Sequence, residues 1–132
     1  MTGPGVAKGR ELGRVEFGPG ELREVRDLVR SIVRERLPDR ADDAVLAVHE
    51  VAVNSILHGG GHGVLHIDET ADSLVFVVED SDGTGTLPNV RPFAELATSG
   101  RGLLIAEQLS DRLTIDTRPR STRVGVHLTL AS

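Results

Sequence analysis

One stretch, Val48 to Gly59 (VHEVAVNSILHG), constrains this chain more than any other. Val45, Val48, Ala52 and Ile56 recur three or four residues apart, with Leu46, Val53 and Leu57 on an adjoining line, which predicts a helix from about Arg40 to His58. Glu50, Asn54 and His58 follow one another at intervals of four. Four residues turn a helix by about 400°, so successive members drift only about 40° and share one face. A carboxylate, an amide and an imidazole thus line up beside the buried stripe. Rows like this are solvated faces on most amphipathic helices. Only matching features elsewhere in the chain make this one a site. Asp39, Asp42 and Asp43 crowd the start of the helix, where negative charge suits its dipole. Gly59, Gly60 and Gly61 stop it.

The other elements can be placed around that helix. Residues 1–13 are rich in Gly and charge without periodicity and read as a mobile lead-in; residues 14–132 form one domain. Arg14 to Phe17 is a short strand closed by Gly18-Pro19-Gly20. Glu21 to Leu37 is a first helix with the stripe Leu22, Val25, Val29, Ile32 and Val33, ended by Pro38. It carries a basic row, Arg23, Arg26, Arg30 and Arg34. That row is either a solvated face paired with Glu24, Asp27 and Glu35, or a docking surface for an acidic partner. Gly63 to Glu69 and Ser73 to Asp80 make a hairpin about Thr70-Ala71-Asp72. From Ser81 to Gly102 the pattern lapses into a long, Gly- and Pro-punctuated loop of the kind that is functional or disordered. Leu103 to Leu109 is a third helix, and Leu113 to Thr117 and Thr122 to Leu130 are two more strands.

Composition removes several classes of function. With no cysteine, there is no disulfide, thiolate metal site or cysteine nucleophile. The net charge of -5 and the three Phe as the only aromatics argue against a nucleic-acid partner. No apolar run approaches membrane-spanning length, and MTGPGVAKGR lacks the apolar core of a signal peptide, so a cytoplasmic protein is expected. Zinc spacing is absent too: His49-Glu50 has no histidine four residues on, and glycines interrupt His58, His62 and His66.

Three features remain. Glu50 is placed to act as a base for a hydroxyl, and Asn54 offers an oxygen to a hard cation such as magnesium. Asp80 ends a strand before Gly83 and Gly85, where it either shapes a turn or accepts a hydrogen bond from a ligand amine. Ser99-Gly100-Arg101-Gly102 runs into a helix, whose N-terminal N–H groups suit a phosphate, although many such glycines are simple caps.

Taken in order, Glu-x-x-x-Asn on a helix, Asp at a strand end before glycines, and Gly-x-Gly opening a helix resemble the GHKL (Bergerat) ATP-binding superfamily. The resemblance covers about Glu21 to Leu130. The wording EVAVNSILHG and GRGLLIAEQLSDRL is similar to that of the bacterial anti-sigma-factor serine/threonine kinases. The resemblance implies a two-layer α/β sandwich of the α+β kind, with a mixed, mainly antiparallel sheet and three helices on one face. It implies ATP and Mg2+ as cofactors. Glu50 is then the general base and Asn54 the magnesium ligand, with His58 further along the same face at the nucleotide. Asp80 holds the adenine amino group beside the turn at Gly83 and Gly85, and Thr122 lies at the adenine edge. Gly100, Arg101, Gly102 and Leu103 meet the phosphates, and Thr86 to Ser99 is the ATP lid. The implied activity is phosphorylation of a serine on a STAS-type anti-sigma-factor antagonist, coupled to binding of a sigma factor; the resemblance leaves a homodimer open. Two departures stand out. The glycines follow Asp80 at the third and fifth positions rather than the second and fourth, and Leu104 occupies a place where a further glycine is common. A non-catalytic ATP-binding regulatory module is the alternative. A histidine-kinase-type catalytic domain is a weaker one, since the chain has no long helical pair to present a phosphoacceptor histidine.

Overall fold

The computed structural model describes residues 9–58, 60–81 and 102–130. Five strands, β1 (Arg10–Phe17), β2 (Gly63–Glu69), β3 (Ser73–Ser81), β4 (Arg112–Arg118) and β5 (Ser121–Thr129), form one sheet in the order β1-β2-β3-β5-β4. All four pairings are antiparallel. Three helices, α1 (Leu22–Arg36), α2 (Ala41–His58) and α3 (Gly102–Leu109), make the second layer. This is the expected two-layer α+β sandwich.

Alternation explains the sheet. Leu74, Phe76 and Val78 on β3 and Val124, Val126 and Leu128 on β5 point to one face and are buried. Leu65 and Ile67 of β2 and Phe17 of β1 join them. The helices cover that face with Val25, Val29, Ile32 and Val33 from α1, Val48, Val51 and Ala52 from α2, and Leu103 and Ala106 from α3. Phe76 is fully buried at the centre of the sheet, and its truncation to Ala would cost about 3–5 kcal/mol.

Helix α2 is the hub. It packs against α1, α3, β2, β3 and β5. Its buried side is rich in small residues, Ala41, Ala44, Ala47 and Ala52, which let neighbouring backbones come close. The adjoining line expected from Leu46, Val53 and Leu57 does not reach the core. Leu46 is 43% and Leu57 71% exposed, because the alanine side is the one the sheet and α3 take. After α2 the chain turns at Gly60 and Gly61, with φ of 89° and 93°, a region that residues with a Cβ rarely enter.

The first strand is longer than its sequence pattern predicts: it begins at Arg10, inside the stretch read as a lead-in. Arg10 and Glu11 lack alternation of their own, but they pair with Glu69 and Asp68 of β2 across an irregularity between Glu11 and Gly13. Gly13 lies under α1, where an added Cβ would be 3.3 Å from Leu28. Polar ties close the periphery. Arg36 Nε donates to Glu69 Oε2 (3.0 Å), joining α1 to β2. Arg40 pairs with Asp111 (3.2 Å), whose carboxylate also accepts the Thr129 N–H (2.7 Å). Those two donors hold the Asp111 pKa below the usual carboxylate value.

Candidate functional site

The expected site residues that are among those described fall on α2, the ends of β3 and β5, and the start of α3. Sheet register brings Asp80 and Thr122 directly opposite each other in the β3–β5 pair. Both continue the alternation of the core face, Asp80 after Val78 and Thr122 before Val124, so both stand on the side toward the helices. There α2 meets them: Ser55 Oγ donates to Asp80 Oδ2 at 3.0 Å.

Five residues earlier on α2, Glu50 meets the start of α3. An added Cβ at Gly102 would stand 3.0 Å from Glu50 Oε1 and 3.6 Å from Glu50 Cβ. The Glu50 side chain therefore lies against the first turn of α3, where helical N–H groups have no partner within the helix. Glycine at 102 makes that approach possible. Asn54 lies one turn on from Glu50 and is half-buried; His58 is exposed at the end of α2. Leu103 is fully buried, so what it has to offer a ligand is its backbone rather than its side chain. Gly83, Gly85, Gly100 and Arg101, with the segment 86–99 expected as a lid, lie outside the described residues.

Sequence reasoning passed over one member. Ser55 is the buried polar residue among those described, at 5% exposure, and it was hidden as a small residue within the apolar stripe of α2. The signal that would have found it is chemical: a hydroxyl on a core-facing helix position needs a partner. Asp80, on a core-facing position of a strand, is such a partner. Gly63 of β2 makes the room, since a Cβ there would come within 2.9 Å of Ser55 Oγ and 3.0 Å of Phe17 Cζ.

The arrangement has two ends. One offers acceptor oxygens, Asp80 with Ser55 and Thr122 beside it, and suits a base carrying an amine. The other sets a carboxylate against a glycine-opened helix start, which suits a phosphate chain and a proton transfer near it. Asn54 stands on α2 between Glu50 and Ser55, with an amide oxygen of the kind magnesium accepts. The residues present thus fit an adenine nucleotide and its metal.

The profile of the histidine kinase-like ATPase domain family matches residues 15–129. The chain belongs to that family, the GHKL class of ATP-binding domains. Its fold is similar to that of a solved structure, the RsbU and RsbW domains of Rv1364c from Mycobacterium tuberculosis, with a TM-score of 0.64 at 17% sequence identity. The match covers 91% of this chain and 33% of that one, so this chain spans about a third of the neighbour's length. No curated protein matches. Among the described residues, no helix is long and apolar enough to cross a membrane.

Proposed function

We propose that this domain is an ATP-dependent protein serine kinase of the anti-sigma-factor type, acting on a serine of a STAS-type antagonist and binding a sigma factor. The observation that carries the reading is the double reach of α2. Through Ser55 it touches Asp80 at the end of β3, and through Glu50 it touches Gly102 at the start of α3. A base-binding end and a phosphate-binding end are thus held at fixed spacing by one rigid element. The likeness in fold to a structure that holds an RsbW domain supports the anti-sigma assignment.

In this reading Asp80 accepts from the adenine amine, and Thr122 lines the adenine edge. Gly102 and Leu103 offer backbone N–H groups to the phosphates. Asn54 contributes its amide oxygen to magnesium. Bound magnesium supplies charge neutralisation of the phosphates and holds them in one geometry. Glu50 takes the proton from the attacking serine hydroxyl. Phosphoryl transfer asks little covalent work of a protein, so one base, one metal and positioned donors suffice.

The basic row on α1 supports a protein partner. Arg26 is occupied, with Nη1 3.4 Å from His49 Nδ1. Arg23 and Arg34 are exposed, and among the described residues neither forms the ion pair with Glu24, Asp27 or Glu35 that a self-neutralised face would show. They suit an acidic surface on the antagonist or sigma factor.

The test is incubation with labelled ATP, magnesium and candidate antagonists from the same genome. Transfer of label to an antagonist serine is the expected result. ATP bound without transfer to any candidate would instead favour the non-catalytic binding module.

A further inference from the structure

Ser55 has no role in the reaction as set out above, yet its surroundings are specific. It is buried, its Oγ lies 3.0 Å from Asp80 Oδ2, and the space around it exists only because residue 63 is glycine. A serine hydroxyl has one hydrogen to give and two lone pairs; an ionised carboxylate only accepts. In this pair the hydrogen must therefore belong to Ser55, and it is committed to Asp80.

We propose that Ser55 is the specificity-setting positioning residue of the base pocket: its hydrogen bond fixes the Asp80 carboxylate and leaves the pair presenting acceptors alone, selecting a purine with a 6-amino group over a 6-oxo purine. This rests on the reading of Asp80 as the adenine contact. An amine at position 6 donates to the held carboxylate. A 6-oxo group brings a lone pair against acceptors, and the Ser55 hydroxyl that might have turned to donate to it is already used. Without Ser55 the carboxylate loses this restraint on its terminal torsion, which is broad. A Cβ at Gly63 would stand only 2.9 Å from Ser55 Oγ, so β2 packs closely against the hydroxyl, and its hydrogen bond to Asp80 is built into the fold rather than induced by ligand.

A serine that merely ties α2 to β3 would make a different prediction. Its loss would weaken all nucleotides alike. The experiment is therefore a comparison of ATP, GTP and purine-riboside triphosphate, which lacks any 6-substituent, by calorimetry with magnesium on wild type and Ser55→Ala. Expected for wild type is a preference for ATP over both others. In Ser55→Ala the affinity for ATP falls by about tenfold, as for loss of a hydrogen bond to a charged group. Affinity for purine-riboside triphosphate stays within about twofold, so the preference for ATP over the other two collapses by about the same factor of ten. Ser55→Cys, nearly isosteric but a weak donor, repeats the contrast if Ser55→Ala does not fold. Equal losses for all three nucleotides, or an unchanged ATP preference, would overturn the proposal while leaving the nucleotide site in place. Wild type that binds ATP no better than purine-riboside triphosphate would overturn it by removing Asp80 from the amine. Wild type that binds no nucleotide would remove the reading of the whole site, and this assignment with it.

Discussion

Glu50 and Gly102 are in contact across the α2–α3 interface: a β-carbon at position 102 would stand 3.0 Å from Glu50 Oε1. The obstructing atom is the end of a flexible side chain, so Gly102→Ala can be accommodated by moving the carboxylate. Alanine is also the better helix residue by up to about 1 kcal/mol. We expect the melting temperature of Gly102→Ala to be unchanged or slightly raised. Phosphotransfer should fall by at least about tenfold, because a base displaced by a fraction of an ångström loses its alignment. Wild-type turnover in a folded Gly102→Ala variant would mean that the contact is packing and nothing more.

Glu50→Gln tests the same carboxylate without moving it. Glutamine keeps the size and most of the hydrogen bonding but cannot take a proton. A base acts in the transition state, so turnover should drop by at least about a hundredfold while ATP affinity stays near that of wild type. Equal initial rates of antagonist phosphorylation for the two proteins would take Glu50 out of the chemistry.

Asn54 is half-buried, so its truncation should cost little stability. Asn54→Ala is expected to melt within about 0.5 kcal/mol of wild type and to lose much of the magnesium dependence of ATP binding. Calorimetric titrations with magnesium and with a chelator measure this directly. A variant whose two titrations differ as much as those of wild type would return Asn54 to the solvated face of its helix.

Stability should decline in mild acid, and His127 is one source. Burial, and then the nearby charge of Arg112, lower its pKa below the ordinary 6.5. Its Nε2 lies 3.1 Å from Thr114 Oγ1. Below pH 6.5 the unfolded chain takes up a proton at this position that the folded chain resists, so unfolding is favoured as pH falls. His127 thus supports the fold fully above pH 6.5 and loses that support as pH drops toward its folded pKa. Asp111, also lowered, adds a second decline below its ordinary 3.8. His127→Gln should show a smaller drop in melting temperature between pH 7 and pH 5 than wild type. Identical drops would exclude His127 as a contributor.

Much of the fold and half of the site were legible in the residues themselves. The hairpin of β2 and β3 follows from alternation, which is a local property. The span of α2 follows from its stripe and its glycine stop. The row Glu50, Asn54, His58 is a consequence of helical pitch alone. Other features had no local signature. The extension of β1 back to Arg10 depends on pairing with β2, more than fifty residues away. The exposure of Leu46 and Leu57 depends on which side of α2 its neighbours cover. Ser55 carried no reading from the sequence, since a hydroxyl's partner cannot be named until another element is laid against it.

The sequence by itself therefore determined the elements, their order and the identity of the groups able to accept, donate and take protons. Those are set by side-chain periodicity and by chemistry that each residue carries wherever it lies. Only the tertiary structure decided which of those groups meet. Antiparallel register put Thr122 opposite Asp80, and α2 packing put Ser55 against Asp80 and Glu50 against Gly102. Such contacts join residues up to fifty-two positions apart, and they exist because burying one shared core fixes the distance between elements that have no local reason to be close.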